Sequence, residues 1–323
     1  MSSKNAFRIL SLDGGGVRGA LSARLLTNIE NYLNAKEGDV LPIGRRFDLV
    51  VGTSTGGLIA LALACGKSAA EIASFYDEQI PRIFSVRKRW FPGWLEKPKY
   101  RVDVLQEALT AFFGERTLHD LVVDACITAV ALQNAKPRFY KTDYLKRNAG
   151  RLGERLVDVA LGTTAAPTYF PAHSGKLSTD LVDGGLCANN PSIVGIVDAL
   201  QFERPSKRGV MPSSMNELVM VSIGTGEPCA MPYDHTQLRA GGLRRWILFW
   251  GKSGPTVPLF DVTTESQSVL AHFQAAFMLG PLYLRINPRL TFPMRLDDVS
   301  KLPELKNLAD LEKTAEAFLL EHF

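Results

Sequence analysis

Short apolar runs alternate with amphipathic stretches along most of the chain. Phe7-Arg8-Ile9-Leu10-Ser11-Leu12 is brief, mostly apolar and followed by glycines, which predicts a buried strand. Leu21, Leu25, Leu26, Ile29 and Leu33 then recur at helical spacing. Phe47-Asp48-Leu49-Val50-Val51-Gly52 predicts a second strand, and the nearly all-apolar stretch from Gly57 to Cys65 predicts a helix buried on every side. Ser68-Ala69-Ala70-Glu71 is a capping box that opens the next helix. Asp124 to Ala131 and Leu218 to Ile223 read as further core strands. Strands alternating with helices in this way predict a three-layer α/β/α sandwich around a mostly parallel central sheet.

Two stretches break the alternation. Ser85 to Tyr100 is basic, aromatic and proline-containing, and Glu227 to Pro258 is rich in glycine and proline; both are expected to be long loops or lids. In the tail, Leu305, Leu308, Leu311, Ala315 and Phe318 predict one docked helix from Leu305 to Leu320. The expected organisation is a single domain over residues 1–323, with its motif-bearing core over about 7–226 and a loop-rich, helical extension over about 227–323.

Composition narrows the classes. The 323 residues are 46% apolar and 22% charged, which excludes disordered and collagen-like chains. A net charge of +4 permits an anionic membrane surface or a phosphate ligand and gives weak support to nucleic-acid binding, so no nucleic acid polymer is expected as a partner. Cys65, Cys126, Cys187 and Cys229 lie far apart, which suits a reducing cytosol better than a disulfide framework or zinc site. The first residues lack the apolar core of a signal peptide, and no apolar run has the ~18 residues of a membrane span. A cytoplasmic protein that touches the inner membrane surface transiently is the expectation.

Three motifs could carry chemistry. Gly52-Thr53-Ser54-Thr55-Gly56 is a G-x-S-x-G between a strand and an apolar helix, the context a nucleophile elbow requires. The turn would lift Ser54 Oγ clear of the sheet and set it at a helix N-terminus, where backbone N–H groups favour developing negative charge. Asp13-Gly14-Gly15-Gly16-Val17-Arg18-Gly19 offers unencumbered backbone N–H groups, as an oxyanion hole needs. The same residues satisfy the G-x-G-x-x-G fingerprint of dinucleotide sites, but Glu37 and Asp39, at the right distance for the acidic partner, fall in a polar loop rather than at a strand end. Asp183-Gly184-Gly185 follows Leu181-Val182, with Ala165-Ala166-Pro167-Thr168-Tyr169-Phe170-Pro171 before it and Asn189-Asn190-Pro191 after it. A carboxylate there could take the serine proton itself, provided partial burial raises its basicity. A Ser–His–Asp triad through His235 or His272, with His173 the remaining histidine near the motifs, stays open, though none carries a supporting motif.

Together these motifs resemble the patatin-like phospholipase family, whose pattern is a D-G-G-G-x-R-G loop, a G-T-S-x-G elbow and a D-G-G aspartate; the likeness covers about Phe7 to Gly226. It implies a Ser–Asp dyad that cleaves acyl esters of membrane glycerolipids, with Ser54 as nucleophile and Asp183 as base. Gly15 and Gly16 would supply oxyanion donors, with Arg18 supporting the loop or holding a lipid phosphate, and Gly14, Gly19, Gly52, Gly56, Gly184 and Gly185 would shape the turns. No metal or cofactor is implied. Some bacterial relatives of this size resemble antiphage effectors switched on by a cyclic nucleotide, which puts such an activator among the expected partners and leaves a homo-oligomer open. Arg87, Lys88, Arg89, Trp90 and Trp94, and again Arg244, Arg245 and Trp246, join cations to aromatic wedges and are the expected membrane contacts. A non-catalytic lipid- or nucleotide-binding protein on the same fold is the competing reading.

Overall fold

The computed structural model describes residues 6–85, 97–142, 153–176, 180–231, 233–247, 249–251, 254–309 and 313–323. The elements run β1 (Phe7–Leu12), α1 (Gly19–Glu37), β2 (Leu49–Thr53), α2 (Thr55–Ala64), α3 (Ala69–Ile83), α4 (Val102–Phe113), β3 (Asp124–Ala131), β4 (Lys136–Lys141) and α5 (Leu156–Thr163). They continue with β5 (Leu181–Asp183), α6 (Gly185–Ala188), α7 (Ser192–Ala199), β6 (Leu218–Ile223), α8 (His235–Arg239), α9 (Leu243–Ile247), β7 (Phe249–Gly251) and β8 (Gly254–Thr256). Last come α10 (Pro258–Leu279), β9 (Tyr283–Ile286), α11 (Leu302–Lys306) and α12 (Lys313–His322).

The main sheet has the order β4-β3-β2-β1-β6-β9, with β5 also paired to β3. Strands β1, β2, β3, β6 and β9 are parallel, and β4 and β5 join β3 antiparallel. Alternation along each strand builds two cores. Phe7, Ile9, Leu49, Val51 and Met220 pack against Ile196 of α7 and Ala275 of α10. Leu10, Leu12, Val50, Ile127 and Ile223 face the opposite way, toward α1 and α2. The three-layer, mostly parallel sandwich is therefore observed.

The sheet also explains how two motifs far apart in sequence come together. Strand β4 covers one edge of β3 from Cys126 to Ala131. On the other edge β2 pairs as far as Thr53↔Thr128, and β5 then enters the same lane head-on, with Asp183↔Ala129. The end of β2 and the end of β5 thus meet at adjacent positions of β3, and the chain turns away from the sheet at each.

Three expectations need correction. The stretch from Glu227 to Pro258 holds α8, α9 and the β7–β8 hairpin rather than one loop. The tail forms α11 and α12 instead of a single helix: after Lys306 the chain leaves helical geometry, and the Asn28 side chain of α1 donates to the Ala309 carbonyl there. Glu37 and Asp39, weighed as a ribose-binding acid, both pair with Arg46 and end no strand, so the dinucleotide fingerprint lacks its acidic partner. The capping box at Ser68 and Glu71 is present in full.

Candidate active site

Ser54 sits between the last residue of β2 and the first of α2 with φ 53° and ψ −124°. A side-chain-bearing residue at positive φ costs on the order of 1–3 kcal/mol and persists only where its surroundings enforce it. Close packing of the turn enforces it here. A Cβ on Gly52 would stand 2.3 Å from the Gly56 carbonyl oxygen, and a Cβ on Gly56 would stand 2.3 Å from the Leu12 carbonyl oxygen. The Ser54 N–H donates to Thr163 Oγ1 at 2.8 Å, and Thr53 Oγ1 donates to the Ala188 carbonyl at 2.6 Å. α5 and the turn after α6 therefore hold the elbow from two sides.

The Ser54 hydroxyl donates to Asp183 Oδ2 at 2.6 Å. The other carboxylate oxygen, Oδ1, accepts the Gly185 N–H at 2.7 Å. Asp183 is 2% exposed, and burial pushes its pKa up to about 6 against the opposing pull of the Ser54 and Gly185 hydrogen bonds. Among the described residues no cation pairs with it. The result is a carboxylate that is ionised at neutral pH yet more basic than an exposed one.

The glycine loop lies across the pocket from this pair. The Gly14 N–H donates to the Asn189 carbonyl at 2.9 Å, and the Asp13 N–H to the Ile223 carbonyl at 3.1 Å. The amides of Gly15 and Gly16 find no acceptor among the described residues, although both residues line the pocket that holds Ser54. The loop is anchored from behind: Arg285 of β9 grips the buried Asp13 carboxylate through both guanidinium nitrogens, at 2.9 and 2.5 Å. Arg18 is buried and points into the same pocket, its Nη1 reaching the Gly226 carbonyl at 3.4 Å. Gly19 packs against Thr55 and Tyr76, and Gly184 against Thr128.

The pocket encloses about 780 Å3, partly open to solvent. Beyond the polar floor of Ser54, Asp183 and the glycines its wall is apolar, with Leu58, Ile80, Ile83, Phe84, Phe170 and Phe260 among the lining residues. An ester with a long hydrocarbon arm matches that division. The histidines lie elsewhere. His173 Nε2 meets Asp158 at 3.0 Å, His272 Nδ1 meets the Tyr283 hydroxyl at 3.2 Å, and His235 opens α8; none lines the pocket. Sequence reasoning missed Thr163, Asn189 and Arg285 as supports. Thr163 and Asn189 flank recognised motifs, but Arg285 sits in a segment with no motif at all, and only the sheet brings β9 to Asp13.

Of the expected membrane contacts, Arg244 and Arg245 are exposed on α9, beside exposed Leu243 and Ile247, with Trp246 half-buried. Arg87, Lys88, Arg89, Trp90 and Trp94 lie outside the described residues.

Residues 10–194, more than half of the chain, match the family model described as patatin-like phospholipase. The chain belongs to the patatin-like phospholipase family. It is thereby a member of the carboxylic ester hydrolases. Patatin-like protein 4 of Arabidopsis thaliana is 30% identical over 98% of this chain and 84% of its own length. A Vibrio cholerae protein named cGAMP-activated phospholipase is 36% identical over 75% of this chain and 71% of its own. Among solved structures, VipD from Legionella pneumophila aligns over 98% of this chain and 66% of its own with 13% identity and a TM-score of 0.44, a likeness too remote to bear on function.

Proposed function

We propose that this patatin-like chain is a phospholipase of the A type, working through a Ser54–Asp183 dyad without metal or histidine. The observation that carries the reading is the 2.6 Å hydrogen bond from the Ser54 hydroxyl to a buried carboxylate whose basicity burial has raised. As Ser54 Oγ attacks the ester carbonyl carbon, its proton passes to Asp183 Oδ2. The carbonyl oxygen gains the negative charge, and the unpaired Gly15 and Gly16 amides, with the Thr55 N–H at the start of α2, are the donors to meet it. Collapse of the tetrahedral intermediate breaks the bond to the lipid alcohol, which leaves with the proton from Asp183. Water then gives a proton to Asp183 and attacks the acyl-serine, releasing the fatty acid and returning the proton to Ser54.

The test is a pair of substitutions. Ser54→Ala and Asp183→Asn are each expected to lower phospholipid acyl hydrolysis by about 10³-fold or more, with circular dichroism unchanged. A folded Asp183→Asn protein with near-native turnover would remove the dyad.

The reading has two further parts. A cyclic nucleotide switches the activity on, supported by the Vibrio cholerae relative's name; assays with and without a panel of cyclic di- and trinucleotides test it, and full activity without any nucleotide defeats it. The protein works at the inner membrane surface from the cytoplasm. No helix among the described residues is long and apolar enough to cross a membrane, so contact falls to surface features such as α9. Near an anionic leaflet each cation contributes about 1 kcal/mol, so Arg244→Glu with Arg245→Glu is expected to weaken co-sedimentation with phosphatidylglycerol vesicles by more than about twentyfold. Undiminished co-sedimentation would exclude α9.

A further inference from the structure

Beside the dyad pocket lies a second hollow of about 430 Å3, also partly open to solvent, walled by Arg18, Tyr169, Asp261, Glu265, Arg295 and Leu296 among others. Arg18, Tyr169 and Leu296 line both spaces, so the hollow is continuous with the pocket that holds Ser54. Its charges are oddly provided for. Arg18 is 6% exposed; its Nε has no hydrogen-bond partner, its one hydrogen bond is the long one to Gly226, and it forms no ion pair among the described residues. A buried guanidinium left this way carries a desolvation cost that an anion would offset. Asp261 and Glu265 stand one turn apart on α10 and share a face. Neither carboxylate has a hydrogen bond or ion pair among the described residues, whereas Arg295 is already engaged by Asp297 at 3.0 Å. Burial pushes Asp261 up to about 6 and moves Glu265 in the same direction.

A buried cation and two unpaired carboxylates thus face one water-accessible hollow, next to a serine placed to attack an acyl ester. A bare divalent cation is a poor occupant, since it would meet two carboxylates and a repelling guanidinium. A polyanion is a poor occupant for the opposite reason, so the hollow does not suit a cyclic nucleotide. A group carrying one negative and one positive charge matches both walls.

We infer that the hollow is a headgroup subsite for zwitterionic phosphoglycerides, in which Arg18 meets the phosphodiester while Asp261 and Glu265 meet the headgroup ammonium. The inference rests on the phospholipase reading and deepens it, naming the lipid class. Asp261 and Glu265 act on specificity, not on the proton transfers at Ser54.

The experiment compares hydrolysis of phosphatidylethanolamine and phosphatidylglycerol with identical acyl chains in mixed micelles, with activating nucleotide present if the enzyme requires one. The unaltered enzyme is expected to favour the ethanolamine lipid by about tenfold in kcat/KM, the scale of one good charge contact. In Asp261→Asn/Glu265→Gln the ratio is expected to fall to about one. A ratio near one in the unaltered enzyme, or one kept by the folded double variant, overturns the inference. Should the variant not fold, inhibition of the unaltered enzyme decides: glycerophosphoethanolamine must compete better than glycerophosphoglycerol, and equal competition overturns the subsite. A headgroup-free p-nitrophenyl ester separates the two readings. Its cleavage with no headgroup preference defeats the subsite alone, and failure to cleave any ester defeats the phospholipase reading and the subsite together.

Discussion

At the scale of single residues, Asp183 sets the terms. Its carboxyl must be ionised to accept the Ser54 proton, and burial holds its pKa at about 6. Activity measured as kcat/KM should therefore rise with pH through a midpoint near 6 and level off above it; a midpoint near 4 would mean that the burial effect is absent in solution. The same shift acts on stability. The folded state binds this proton more tightly than the unfolded chain, whose carboxyl titrates near 3.8. Below that value both states are protonated and nothing is lost; as pH rises toward 6 and beyond, ionising the buried group costs the folded state about 3 kcal/mol. Asp183→Asn, which removes the charge, is expected to melt about 5 °C higher than the unaltered protein at pH 7.5, with the gain disappearing below about pH 4. No change in melting temperature at pH 7.5 would contradict that balance. Arg285 carries the opposite expectation. Arg285→Leu leaves the Asp13 carboxylate buried without its cation, a loss of about 3–5 kcal/mol in denaturant titration.

At the scale of elements, the elbow and the glycine loop are legible in the sequence because their chemistry is local. Gly52 and Gly56 flank Ser54 since the strand-to-helix turn has no room for a Cβ, and backbone atoms, not yielding side chains, fill that space. Gly56→Ala should accordingly displace the turn and strip activity even where the protein still folds, read as a kcat loss of more than about 10²-fold. Strands β1, β2, β3 and β6 were equally legible, each a short run of apolar residues buried on both faces. Strand β4 was not: Lys136-Pro137-Arg138-Phe139-Tyr140-Lys141 lies at the sheet edge and keeps polar residues exposed. Strand β5 is three residues long, too short for any periodicity, yet it is the element that delivers Asp183. Helix α10 supplies the apolar pocket residue Phe260 and both hollow carboxylates while leaving Phe273 and Phe277 exposed, so its hydrophobic pattern blurs the buried face.

At the scale of the molecule, the motif-bearing stretch up to residue 226 is not self-sufficient. Strand β9 completes the edge of the sheet next to β6, and its Arg285 holds the glycine loop through Asp13. We propose that residues 7–323 fold as one unit, so a chain ending at residue 226 should fail to give a cooperative thermal transition; a soluble, cooperatively folding truncate would show two units instead. The whole-molecule arrangement also explains why no contiguous sequence window could reveal the site. Ser54 and Asp183 are separated by 129 positions and meet because β2 and β5 share one lane along β3. The most direct measurement of that meeting is covalent labelling with an alkyl fluorophosphonate, followed by intact-mass and peptide-mapping mass spectrometry. One phosphonyl group should attach at Ser54, and attachment should slow sharply in Asp183→Asn. A protein that takes no label, or takes it at another residue, would contradict the account.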